Sequence, residues 1–111
     1  MTMGPKGFAL AVRMERDALL YTFANPQGGS AVADRLAAAN LTSLQRIEVL
    51  AAIDAALSEA FYTLLRALDG SASLGGCQQA FKLNGEGGEI IADGDGRLEA
   101  AAWETFYGSG G

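Results

Sequence analysis

The most regular feature of the chain is a spacing. Leu44, Ile47, Leu50, Ile53, Leu57, Phe61, Leu64 and Leu68 follow one another at steps of three and four, which lays a single apolar stripe along an α-helix. Thr42, with Gln45 three residues on, matches the capping box, in which each side chain satisfies a backbone donor left free at the helix start; Ser43 is an equal candidate for the cap. Asp69-Gly70 ends the run. The pattern therefore predicts one amphipathic helix from Thr42 to Asp69. At ~1.5 Å per residue it would extend roughly 40 Å, more than a compact domain of this size needs, so one end is expected to project or to meet a partner. The opposite face carries Gln45, Glu48, Ala52, Ala55, Glu59 and Arg66, suited to water or, through its alanines, to close approach by another helix.

Upstream the period is mixed. Phe8, Leu10, Val12 and Met14 alternate with Ala9, Ala11 and Arg13 as in a strand, whereas the alanines and the following Glu15-Arg16-Asp17 favour helix. The expectation is a helix over Phe8 to Phe23, stopped by Asn25-Pro26 and the Gly28-Gly29 loop. Ser30 can cap a short helix through Ala39, with Asn40 as its terminator. Residues 1–7, with Gly4, Pro5 and Gly7, read as a flexible arm.

Downstream of Gly70 the character changes. Ser71 to Gly76 is a small-residue loop, Cys77 to Leu83 reads as a strand, Asn84-Gly85 with Glu86-Gly87-Gly88 as a turn, and Glu89 to Ala92 as the returning strand. Two strands alone are marginal in water, so they must pack on the helices or pair with another chain. Asp93-Gly94-Asp95-Gly96 makes a second turn, Leu98 to Tyr107 a final helix, and residues 108–111 a flexible tail. The fold class that follows is α+β, mostly helical: a helical core built on one long helix, with a C-terminal β-hairpin and then a short helix, forming a single domain over residues 8–107.

Composition narrows the chemistry. Half of the 111 residues are apolar, with alanine and small aliphatics dominant, so the core is expected from closely packed helices. Arg46, Glu48, Asp54, Glu59 and Arg66 interrupt the most hydrophobic region, which argues against a membrane span. The apolar run Phe8 to Val12 is too short for a signal-peptide core, and the protein is expected in the cytoplasm. There is one cysteine, Cys77, and no histidine; no metal or cofactor site is expected, and the commonest neutral-pH general base is missing. Residues 1–66 carry six acids and six bases, while residues 67–111 carry seven acids against Lys82 and Arg97, so the net charge of −5 lies wholly in the later segment. That sign disfavours nucleic-acid binding and suits an acidic surface patch.

Four groups of residues invite a chemical reading. Asp93, Asp95 and Glu104 stand at the first, third and twelfth places of a calcium-loop count, but Arg97 and Leu98 occupy the fifth and sixth, where an oxygen ligand and a glycine are needed; a turn leading into a helix start is the better reading. Asp54 borders the apolar stripe, as a poised acid or simply as an edge residue reaching water; the second is favoured. Cys77 follows Gly75-Gly76, where a half-buried structural thiol is favoured over a nucleophile because no histidine can activate it. Tyr62, Trp103, Phe106 and Tyr107 could form an exposed aromatic anchor, although core packing is favoured for Trp103 and Phe106.

The run from Phe61 to Gly70, then Gly75-Gly76 and Gln78, then Leu98-Glu99-Ala100-Ala101, resembles small bacterial proteins, some of them immunity-type partners of toxins. The likeness covers the second half of the chain and assigns no functional residue. It implies an inhibitory or regulatory binding role. Segregated charge and sparse catalytic chemistry point the same way, to a small non-enzymatic module that binds a basic protein through Glu86, Glu89, Asp93, Asp95, Glu99, Trp103, Glu104 and Tyr107. The alternatives are a structural homo-oligomer, in which the long helix and the hairpin edge complete a core that one chain cannot, and a small enzyme using carboxylates such as Asp54.

Overall fold

A computed structural model describes residues 3–108. Their order is α1 (Pro5–Ala24), α2 (Ala31–Ala38), α3 (Ser43–Leu68), β1 (Leu83–Asn84), β2 (Ile90–Ala92) and α4 (Arg97–Tyr107). Of the described residues 61% are helical, and the hairpin and closing helix lie where the turn signals place them.

Each helix starts on a nameable signal. Pro5 occupies the first turn of α1, where its missing N–H has no helical partner to lose. The helix thus begins three residues before the predicted Phe8 and takes in part of the expected arm; residues 1–2 and the expected tail residues 109–111 lie outside the described set. Ser30 accepts from the Ala33 amide at the start of α2. Thr42 caps α3 with both halves of the capping box in place, its hydroxyl accepting from Gln45 N at 3.1 Å and its own amide donating to Gln45 Oε1 at 3.0 Å. Asn40, in the left-handed region at φ 53°, turns the chain from α2 toward α3.

Helices α1 and α3 form an antiparallel pair, tied by Arg46 to the Ala24 carbonyl and by Arg16 to Asp54 and Ser58. Helix α4 lies across both, and its packing against α1 is the most extensive between any two elements. The buried core is Leu65, Ile91, Ala92, Leu98 and Ala102, with Phe8, Val12, Tyr62, Leu68, Leu83 and Phe106 packed around it. It sits entirely at one end, where the last turns of α3 meet the start of α1, the hairpin and α4. Toward the other end the predicted stripe stays open to water: Leu44 is 77% exposed and Ile47 61%.

The segment between α3 and the hairpin departs from expectation. Leu74 and Cys77 exchange both backbone hydrogen bonds, at 2.8 and 3.1 Å, around Gly75 and Gly76, both at positive φ, as a primed two-residue turn requires. Cys77 to Lys82 is not a strand; the ladder includes only Leu83 and Asn84, paired antiparallel with Ala92 and Ile90. The reason lies in the end of α3, whose last carbonyls need donors. Phe81 N gives its proton to Leu68 O at 3.2 Å and Gln78 Nε2 to Gly70 O at 3.0 Å, so part of this segment finishes a helix instead of extending a sheet. Cys77 is exposed in the turn and not the half-buried thiol expected at a strand start.

Candidate binding face

The position of α4 depends on a residue thirty positions away. Gly96, at φ 87°, precedes the helix and has no side chain to cap it. Two aspartates take over. Asp95 Oδ1 accepts from Arg97 N at 3.0 Å, and Asp69 Oδ2 accepts from Glu99 N at 3.0 Å while its other oxygen accepts from Gly94 N at 3.2 Å. Asp69 is the C-cap of α3 and only 4% exposed, so one buried carboxylate joins the end of α3, the exit from the hairpin and the first turn of α4. A buried charge is tolerable when donors surround it, and the exposed amides of a helix start are such donors. The Arg97 amide, with help from the Arg97 side chain, holds the Asp95 carboxyl below its usual range.

With its start held there, α4 turns Leu98, Ala101 and Ala102 inward and leaves Trp103 55% and Tyr107 42% exposed. Tyr62 of α3 joins them. The Tyr62 and Tyr107 rings meet edge to face at 5.1 Å between centroids, Trp103 and Tyr107 lie 5.4 Å apart, and Tyr62 and Trp103 6.2 Å apart. Such separations suit tilted and edge-on aromatic pairs. The Arg66 guanidinium lies 5.7 Å from the centre of the Tyr62 ring and donates to Ser71 O. The result is an aromatic triad in which Trp103 and Tyr107 are open to water and half-buried Tyr62 joins them to the core. Core packing was the favoured expectation for both Trp103 and Phe106; only Phe106 packs against the core.

The acidic residues do not gather into one patch. Glu99, Trp103 and Tyr107 follow at i, i+4 and i+8 on α4 and share one stripe. Glu59 borders the same area from α3, lining a depression with Tyr107. Glu104 lies around the helix, beside Lys6 and Arg13 of α1. Asp93 and Asp95 are exposed in the loop before α4, and Glu86 is exposed at the hairpin turn. Glu89 is withdrawn: it folds beneath the turn, is half-buried, and accepts from the Met3 amide at 3.2 Å. A Cβ at Gly85 would lie 2.0 Å from its carboxylate, so glycine there lets the turn close over Glu89.

Asp54 lies where the edge reading puts it. Its side chain is 46% exposed and accepts from Arg16 at 2.6 Å, on the floor of an open groove between α1 and α3. Sequence reasoning did not find the roles of Asp69 or Arg16. Asp69-Gly70 looks like an ordinary helix stop, and no local signal shows that its carboxylate serves a distant helix.

Comparison with family models, with curated proteins and with solved structures finds no match. The likeness to immunity-type proteins rests on the short runs quoted above. Among the described residues no helix is long and apolar enough to cross a membrane.

Proposed function

We propose that the chain is a small protein-binding module, inhibitory or regulatory in type, that docks a basic protein through the outer face of α4. The observation that carries this reading is the exposed pair Trp103 and Tyr107, seated on half-buried Tyr62, with Glu99 and Glu59 at the border. Large rings held by one another lose little freedom on binding, and Trp and Tyr are the side chains most enriched among residues that dominate interface affinity. The surrounding acids would act mainly on encounter, steering a basic surface toward the rings. In this reading Asp93, Asp95 and Glu86 form the acidic approach to the site, and Glu89 serves the hairpin.

The test is capture from the host on the immobilised chain at low and high salt, with Trp103→Ala in parallel. A basic protein retained by the native chain, lost with Trp103→Ala, and captured more slowly at high salt is the expected result. Capture unaffected by Trp103→Ala, or none at either ionic strength, rejects the reading.

A further inference from the structure

The hairpin turn is built around a carboxylate. Its backbone closes by itself, Gly85 N donating to Glu89 O at 2.8 Å and Gly88 N to Gly85 O at 3.0 Å. Gly85 and Gly87 lack the positive φ that would by itself call for glycine, yet neither has room for a side chain. A Cβ at Gly85 would lie 2.0 Å from Glu89 Oε1, and one at Gly87 2.8 Å from Oε2. The two glycines therefore leave the space that the Glu89 side chain fills, while the hydrogen bonds of the turn do not depend on that side chain staying there.

What holds the carboxylate in place comes from outside the hairpin. Its Oε1 accepts from the amide of Met3, 86 residues away in the chain, at 3.2 Å. The Met3 side chain lies back over Gly7 in the first turn of α1, its Cγ 3.5 Å from where a Cβ of Gly7 would stand. The other oxygen, Oε2, is buried and has no hydrogen-bond partner among the described residues. A carboxylate oxygen buried without a donor has given up its water for nothing, and a single charge-assisted bond at the other oxygen offsets a loss of the same order.

We propose that the segment at Met3 is an autoinhibitory strap. Docked, it withdraws Glu89 beneath the turn; released, it lets Glu89 swing out beside exposed Glu86 and add a second carboxylate to the hairpin tip. The near balance between the one bond made and the one oxygen left bare keeps the two states close in free energy, the condition a switch needs. The peptide amide of the chain itself thus occupies an acceptor that a lysine or arginine of a basic protein would otherwise take, so strap and partner compete for it. What the released carboxylate meets rests on the binding reading above, in which Glu86 belongs to the acidic approach; the mechanics of the strap do not.

Carbodiimide coupling of glycine ethyl ester to the carboxyl groups of the full chain, read residue by residue by mass spectrometry, tests the strap without any partner. In the native chain Glu89 is expected to react about threefold or more slowly than Glu86, as a group freed only by local opening does. Met3→Pro deletes the donating N–H and should bring Glu89 to within about twofold of Glu86, whereas Met3→Leu keeps that N–H and should leave Glu89 protected. Asp69, 4% exposed and bonded at both oxygens, reports whether the fold as a whole has opened, and is expected to stay unreactive throughout. Equal reaction of Glu89 and Glu86 in the native chain overturns the proposal, as does protection that survives Met3→Pro or is lost with Met3→Leu. Asp69 reacting along with Glu89 in Met3→Pro overturns it too, because the opening is then global. Capture of a basic protein through Trp103 beside a Glu89 that Met3→Pro does not release would reject the strap and leave the binding reading standing; release without capture would do the reverse.

Discussion

The two ends of α3 are made of similar residues and have opposite fates. Its last turns bury Leu65 and Ala67, Leu65 against Ile91, Ala92, Leu98 and Ala102, whereas its first turns leave Leu44 and Ile47 in water. The burial does not follow the predicted stripe, for Leu65 lies beside it and is covered while Leu64 within it is 42% exposed. What differs is the number of elements that the chain supplies to cover each end. The chain after Gly70 returns over the C-terminal end of α3, where a single aspartate fixes the return, and reaches its middle at Tyr107. Amphipathicity states that a face will be covered; topology decides by what.

Substitutions at the two ends should therefore differ in size and kind. The largest effect is expected for Leu98→Ala, at a side chain with no exposure: a cavity there should cost about 2–5 kcal/mol in urea unfolding. An equal response from Leu36→Ala, at a half-buried side chain of α2, would erase the contrast. Next comes Asp69→Ala, which removes the acceptor of two backbone bonds and should cost about 2–3 kcal/mol. It should also release α4, seen as lost near-ultraviolet dichroism from Trp103. Unfolding with the Trp103 signal unchanged would sever Asp69 from the placement of α4.

At the other end Thr42→Ala breaks the capping box and should cost about 1 kcal/mol. Hydrogen exchange is expected to record it as faster opening of the first turn of α3, with α4 unaffected; a matching acceleration in α4 would mean that the two ends open together. The smallest effect concerns pH. Because the folded Asp95 carboxyl is held below its ordinary 3.8, its contribution is complete above that value and fades as pH falls through the lowered one. Stability of the α4 start should fall slightly under acid, and Asp95→Asn should flatten that slope. An unchanged slope would remove Asp95 from the cap.

The helices were legible because their signals are local. Thr42 with Gln45, Ser30 before Ala31 and Asn25-Pro26 act within a turn or two, and each lies within a few residues of a helix boundary in the structure. The strand expected from Cys77 failed because its fate is set by the end of α3, where the carbonyl of Leu68 and that of Gly70 just beyond the helix take donors from Phe81 and Gln78. The outward position of Trp103 was also hidden. The inward face is set by Leu98, Ala101 and Ala102, which leaves Trp103 about 100° around the helix from Ala102, and alanines at those positions look as suited to a surface as to a tight helix crossing. Of the proposed site residues, Glu99, Trp103 and Tyr107 share a face that their i, i+4 spacing already encodes, whereas the inward turn of Glu89 follows from the Gly85 turn geometry.

The close packing of α1 on α4 joins the first helix of the chain to the last. About seventy residues separate them, so during synthesis at ~5–20 residues per second α1 would wait roughly 4–15 s for the element that covers it. For most of that interval α3 too is unfinished, and only after Leu68 has been added can α1 pair with it while α4 is still to come. Phe8 and Val12, which pack around the core in the finished fold, therefore stay uncovered until the last helix arrives.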